Sequence, residues 1–268
     1  LKKLILLFVL FGPVVTAQNL EKKADSIMAE AKLLLQLEKA SWHATDHFLE
    51  NFPDQKEQIV GYFSYLNHLG NVATIFYGQE EYQILARYLF EDVPSPESLQ
   101  CVTENLMISD PEATLYDMRK AAVNHYLNNK EGIYKYYNDV NPNFIPLNYG
   151  GDKKVYIISG TSENKMLIGN DYRLEFDEDN QVTQATALHN SLIPYDYTKQ
   201  QNTITSLHSH VNSAFIDVTD VCTLLLYKDY IGVKKHIVVH KDYVSILDLE
   251  SENLLILNKE AFDKIAQD

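Results

Sequence analysis

The chain has 268 residues, 46% of them apolar, and a formal net charge of −14, which leaves room for one large domain or two small ones. So acidic a balance disfavours nucleic acid and anionic membrane surfaces as partners, since both need Lys and Arg to displace counterions. Cysteine occurs twice, at Cys101 and Cys222, in no CxxC pair. That spacing excludes a thiolate zinc site and leaves one disulfide as an option in an oxidising compartment.

At the start, Lys2 and Lys3 precede the apolar stretch Leu4 to Phe11, Gly12-Pro13 interrupts it, and Val15-Thr16-Ala17 supplies small residues. This is the pattern of a signal peptide over residues 1–17, cleaved after Ala17, and implies an exported protein, periplasmic or secreted. The apolar run is too short to span a bilayer, and no later segment is long and apolar enough to do so.

Residues 18–140 read as a helical region. Leu20, Ala24, Ile27, Met28, Ala31, Leu34 and Leu35 recur at three- and four-residue steps, the period of an amphipathic helix. Further helices are expected over Lys39 to Glu50, from Asp54 through Tyr65 towards Gly70, and from Glu80 to Phe90. Asp110-Pro111-Glu112 opens another, with Asp as N-cap and Pro at the first helical position. His43 and His47 share a helix face, but without the glutamate of a zincin motif they read as packing residues.

Asn138 to Asp152 is rich in turn formers and is the expected boundary before a second domain over 150–268. Beyond it the period becomes that of strands: Val155 to Ile158, Met166 to Ile168, Tyr172 to Phe176, Gln181 to Leu188, Thr203 to His210, His236 to Val239, Tyr243 to Leu247 and Leu254 to Leu257. Helices are expected over Asp217 to Tyr230 and Lys259 to Ala266. The fold class is α+β, a helical N-terminal region followed by a mixed α/β domain.

The chemistry concentrates in His208-Ser209-His210 and Asp217-Val218-Thr219-Asp220. On a strand, residues two apart face the same way, so the two imidazoles project side by side. Asp220 arrives from the first turn of the next helix. Two imidazoles and a carboxylate form a three-ligand set for a divalent metal, with one coordination position open. The same Asp217-x-x-Asp220 is also an ordinary helix start, one carboxylate capping backbone N–H groups. His189, at a strand end, reads as structural. His236 and His240 face the same way with no evident carboxylate partner.

The order strand, His208-x-His210, loop, Asp220, helix, strand is similar to the JAMM (MPN-type) metallopeptidase domain, its RadC-like bacterial branch in particular, over roughly residues 155–258. The whole chain also resembles a set of exported proteins of Gram-negative bacteria that have no assigned activity. That likeness runs through Gly160-Thr161, Glu163, Gly169-Asn170-Asp171-Tyr172, His208-Ser209-His210 and Thr219 to Leu224. The metallopeptidase resemblance implies that His208, His210 and Asp220 hold zinc and that Glu163 is the catalytic base, with Glu175 as second choice. The substrate implied is a peptide or isopeptide. Two departures weaken catalysis relative to metal binding: Val211 stands where the family has Pro, and Asp217 stands where it has the Ser that steadies an oxyanion. The alternative is a non-catalytic secreted binding or accessory protein with a degenerate site.

Overall fold

The computed structural model describes residues 12–91, 93–104, 106–198 and 204–265. Most of the expected signal peptide, residues 1–11, lies outside them. The architecture is α+β, and its axis is one long helix, α1 (Gly12–Asn51), about 60 Å from end to end at the usual rise. The two helices expected before Pro53 are a single helix. Gly12 and Pro13, expected to interrupt, occupy its first turn, where the missing N–H of proline is harmless. Ala24, Ile27, Ala31, Leu34, Leu37, Ala40, Ala44 and Phe48 are all buried, a stripe at three- to four-residue spacing that faces the core.

The next stretch corrects the expectation of a helical region over 18–140. After a 3₁₀ turn (Pro53–Gln58) the chain forms an antiparallel meander, β1 (Gly61–Leu66), β2 (Val72–Tyr77), β3 (Ile84–Phe90) and β4 (Leu99–Val102). The helices expected over 54–70 and 80–90 are strands. Every residue of β2 is buried, because α1 covers one face and a second apolar cluster covers the other. Val72 and Phe76 pack with α1, and Ala73, Ile75 and Tyr77 pack with α2 (Asp110–Asn128). Buried on both faces, such a strand shows no polar alternation. A buried hydroxyl chain, Ser41 to Ser64 to Thr74 at 2.7 Å each, fixes α1 on the meander.

The expected boundary at 138–152 is a strand hairpin. β5 (Asn141–Tyr149) carries Pro142 and Pro146 and lies at a sheet edge, where proline is tolerated. Gly150 and Gly151, both at positive φ, turn it into β6 (Asp152–Gly160). With β8 (Tyr172–Phe176) and β9 (Val182–Ala187) these form a second antiparallel sheet, in the order β5-β6-β8-β9. β7 (Lys165–Gly169) pairs with β10 (Leu192–Asp196), a strand absent from the sequence expectations.

A third sheet has the order β11-β12-β13-β14. β11 (Thr205–Ser209) runs parallel to β12 (Lys235–Val239), and β13 (Tyr243–Asp248) and β14 (Asn253–Asn258) follow antiparallel. The crossover between β11 and β12 is made by α3 (Val218–Leu226) and the short α4 (Lys228–Ile231), and α5 (Lys259–Ile265) closes the described chain. Residues Thr219 to Leu225 are all buried, and α3 shares one apolar cluster with α1 and the third sheet. Both cysteines are free thiols, Cys101 on β4 and Cys222 inside α3. Among the described residues no helix is long and apolar enough to cross a membrane.

Candidate metal centre

β11 sets the first two side chains. His208 and His210 project from one face with ring centroids 4.8 Å apart, and the N–H of His210 continues the parallel ladder onto Val239 O at 3.0 Å. The chain then turns into α3, where Asp217 is N-cap and Asp220 holds the third helical position. Their side chains form a reciprocal capping box, which aims the Asp220 carboxylate back at β11. Capping and a place in the histidine cluster, weighed as rivals on the sequence, are met by the same carboxylate.

A third imidazole joins them. His189, read from sequence as a structural strand-end residue, lies beyond β9 and points into the same space. His189, His208, His210 and Asp220 each offer one ligand atom, all within 4.8 Å of one another. His210 Nε2 lies 3.1 Å and His208 Nε2 3.8 Å from Asp220 Oδ2, while His189 Nε2 lies 3.0 Å from Asp220 Oδ1. The Nε2 atoms of His208 and His210 are 2.8 Å apart. A tetrahedral zinc with bonds of about 2.0–2.1 Å spaces its ligand atoms by about 3.3 Å, inside the range observed.

The outer nitrogens of His210 and His208 are committed elsewhere. His210 Nδ1 is 2.8 Å from Phe215 O and from Ser213 Oγ. A carbonyl only accepts, so Nδ1 carries a hydrogen and Nε2 is the nitrogen left facing inward. His208 Nδ1 meets His236 Nε2 at 2.7 Å. His189 Nδ1 faces Asp171 Oδ2 at 3.6 Å. Asp171 is fully buried at the β7–β8 turn, and its other oxygen accepts the N–H of Ser159 at 3.1 Å. The hairpin register that pairs Tyr172 with Ala187 brings Asp171 beside His189. Both strands were legible in the sequence, but the register that sets Asp171 beside His189 came only with the folded hairpin.

Three carboxylates, Asp171, Asp217 and Asp220, thus surround the histidines, and none of their ion pairs among the described residues involves Lys or Arg. Burial pushes the Asp220 carboxyl up, but His189, His210 and His208 more than offset this and hold it well below the usual range. Burial likewise lowers His189, yet Asp220 beside it raises the imidazole to about 9. Burial drives His208 down to about 3 and His236 to about 4, Asp220 opposing in both cases. Asp171 is pushed up to about 7 by burial, with His189 opposing. Asp217 is raised by burial and by Asp220. Among the buried side-chain atoms without a hydrogen-bond partner are His189 Nδ1, His189 Nε2 and Asp220 Oδ1. The last two lie close, but they are not aligned for a hydrogen bond.

A cavity of about 140 Å³ opens onto His189, His208 and His210, walled by Ile168, Leu188, Ile193 and Val211. Glu163 is not brought to it. It sits, half exposed, in the turn before β7, its carboxylate 2.5 Å from Lys165 Nζ. Gly169, at the far end of that strand, lines the cavity, and a strand rise of about 3.3 Å per residue separates the two ends. Glu175 pairs with Arg173 at 3.0 Å. Ser213 lies behind His210, donating to Phe215 O or to Asp217 Oδ2 at 2.7 and 2.9 Å. His47 contacts Tyr88 OH at 3.3 Å, a packing role.

Comparison with known proteins yields no matching family model, no matching curated protein and no matching solved structure.

Proposed function

We propose that this chain is a divalent-metal protein, zinc being the first candidate, with His189, His208, His210 and Asp220 as ligands, and that its reaction is hydrolysis of an amide in a peptide or isopeptide linkage. One observation carries the metal reading. His210 Nδ1 is bound as a donor to Phe215 O, so Nε2 is the nitrogen that meets the Asp220 carboxylate, 3.1 Å away. That contact needs a cation between the two atoms, either a second proton on Nε2 or a metal ion. The orphaned buried atoms of His189 and Asp220 border the same space, and native proteins rarely leave such groups unpaired. Three imidazoles and a carboxylate are a donor set suited to zinc and its neighbours among the transition metals.

Such an ion supplies Lewis-acid activation of water near neutral pH. The chain's own residues do the rest. The cavity over the three imidazoles admits a small group between apolar walls at Ile168, Leu188, Ile193 and Val211 and polar ones at Asn190, Ser191 and Asn212. Asp217 stands next to the ligands, its Oδ2 3.9 Å from His189 Nε2, and is the carboxylate we assign to proton transfer. The order β11, His208-x-His210, α3 with Asp220, β12 supports the metallopeptidase resemblance. The pattern of residues 1–17 supports export.

A second reading is favoured by His189. Four protein ligands fill a tetrahedral shell, the arrangement of structural zinc. The ion would then tie the β9–β10 turn to β11 and α3 without catalysis, as in an accessory protein. The deciding experiment is metal analysis of untagged protein, purified without chelator, beside the His208→Ala/His210→Ala variant. About one metal per chain, lost in the variant, is expected. A folded wild type that takes up none from zinc, manganese or iron(II) overturns the proposal. Metal-dependent turnover separates the first reading from the second.

A further inference from the structure

His236 takes no part in the ligand set, yet it is almost fully buried on β12. The parallel register seats it directly across from Ser206 of β11. Its two ring nitrogens are both engaged: Nδ1 lies 2.7 Å from Ser206 Oγ and Nε2 lies 2.7 Å from His208 Nδ1. A neutral imidazole has one donor nitrogen and one acceptor, so the hydrogens along this chain are linked. If His208 is to offer its Nε2 lone pair, its Nδ1–H must donate to His236 Nε2. His236 then carries its own hydrogen on Nδ1 and donates it to the Ser206 hydroxyl. Ser206, His208 and His236 belong to paired strands, so the sheet itself holds the three groups in line.

We infer that His236 is a positioning residue: it selects the Nε2-ligating tautomer of His208 and fixes the ring's orientation, with Ser206 orienting His236 in turn. This rests on the metal reading above. It assigns a role to a histidine whose partner is another imidazole, where ligand histidines more often lean on a carboxylate or a carbonyl.

The test compares wild type, His236→Phe, which keeps bulk but removes the acceptor, and His236→Gln, whose amide oxygen can accept from His208. Zinc affinity is measured by competition with a chromophoric chelator, and the His208 tautomer by long-range ¹H–¹⁵N NMR. The expected results are a loss of about 10- to 100-fold in zinc affinity for His236→Phe, recovery to within a few-fold in His236→Gln, and the Nδ1–H tautomer of His208 in wild type but not in His236→Phe. A folded His236→Phe protein with wild-type affinity and an unchanged tautomer overturns the assignment. If His236→Phe does not fold, Ser206→Ala decides in its place: a weaker zinc complex and a mixed His208 tautomer support the relay, and no change in either refutes it. If wild type binds no zinc, the metal reading fails separately. The His208 tautomer in the metal-free protein, Nδ1–H or not and dependent on His236 or not, then decides the relay.

Discussion

The backbone N–H of Asp217 donates to Oδ2 of Asp220 at 3.1 Å, so the carboxylate that caps α3 is also the one anionic member of the histidine cluster. The helix start thereby orients the ligand, and the buried histidines in turn keep the Asp220 carboxyl ionised. Local structure and site chemistry meet in a single side chain.

Metal binding is therefore expected to stabilise the fold. Zinc at about a hundred times its Kd should raise wild-type stability by about 2.7 kcal/mol, read by thermal unfolding at fixed protein concentration. His210→Ala should show no such gain, since it removes the imidazole 3.1 Å from Asp220. An equal zinc-dependent rise in both proteins would place the ion elsewhere.

Asp217→Asn separates holding the metal from turning over substrate. Asn caps a helix as well as Asp does, so α3 and bound zinc should both survive. Loss of the proton-accepting carboxylate should lower kcat by about 10²- to 10⁴-fold on a peptide substrate identified by screening. Undiminished turnover would return the base role to another carboxylate.

The β7–β8 turn allows a backbone test. Gly169 has φ +91, and a Cβ added there would lie 2.3 Å from Ser191 O, a backbone atom in the loop that carries His189. Gly169→Ala is expected to cost about 1–3 kcal/mol in stability and to weaken zinc binding through displacement of His189. Chemical denaturation and the chelator competition check the two effects independently.

Away from the site, Glu38 gives the fold a pH dependence. It is buried on α1, accepts a hydrogen bond from Asn143 at 2.6 Å, and is pushed by burial from 4.5 up to about 7, the hydrogen bond opposing. The folded protein thus holds this proton more tightly than the unfolded chain. The Glu38 contribution is fully present below pH 4.5 and is lost as pH rises through about 7, about 3 kcal/mol in all at 1.36 kcal/mol per pKa unit. Glu38→Gln should remove that slope and be more stable than wild type at pH 8. Urea midpoints for the two proteins across pH 5–8 measure it, and parallel curves would refute it.

Much of this was legible in the residues. The strands and helix around the site follow from short-range pattern: alternation places His208 beside His210, and an acidic residue three after an N-cap places Asp220 over them. Both relations span few residues, so the chain encodes them locally. The meander β1 to β4 was not legible, because strands such as β2 are covered on both faces and lose the alternation that distinguishes them from helix. His189, Asp171 and His236 required the folded chain. Their value depends on what lies opposite: Asp171 across a hairpin, His236 across a parallel pair closed by α3, and His189 across the gap between two sheets. The sequence by itself determined the cluster's local half, two imidazoles and one carboxylate. Tertiary structure decided the fourth ligand and the buried partners behind the imidazoles, since packing alone brings distant segments within reach of one ion.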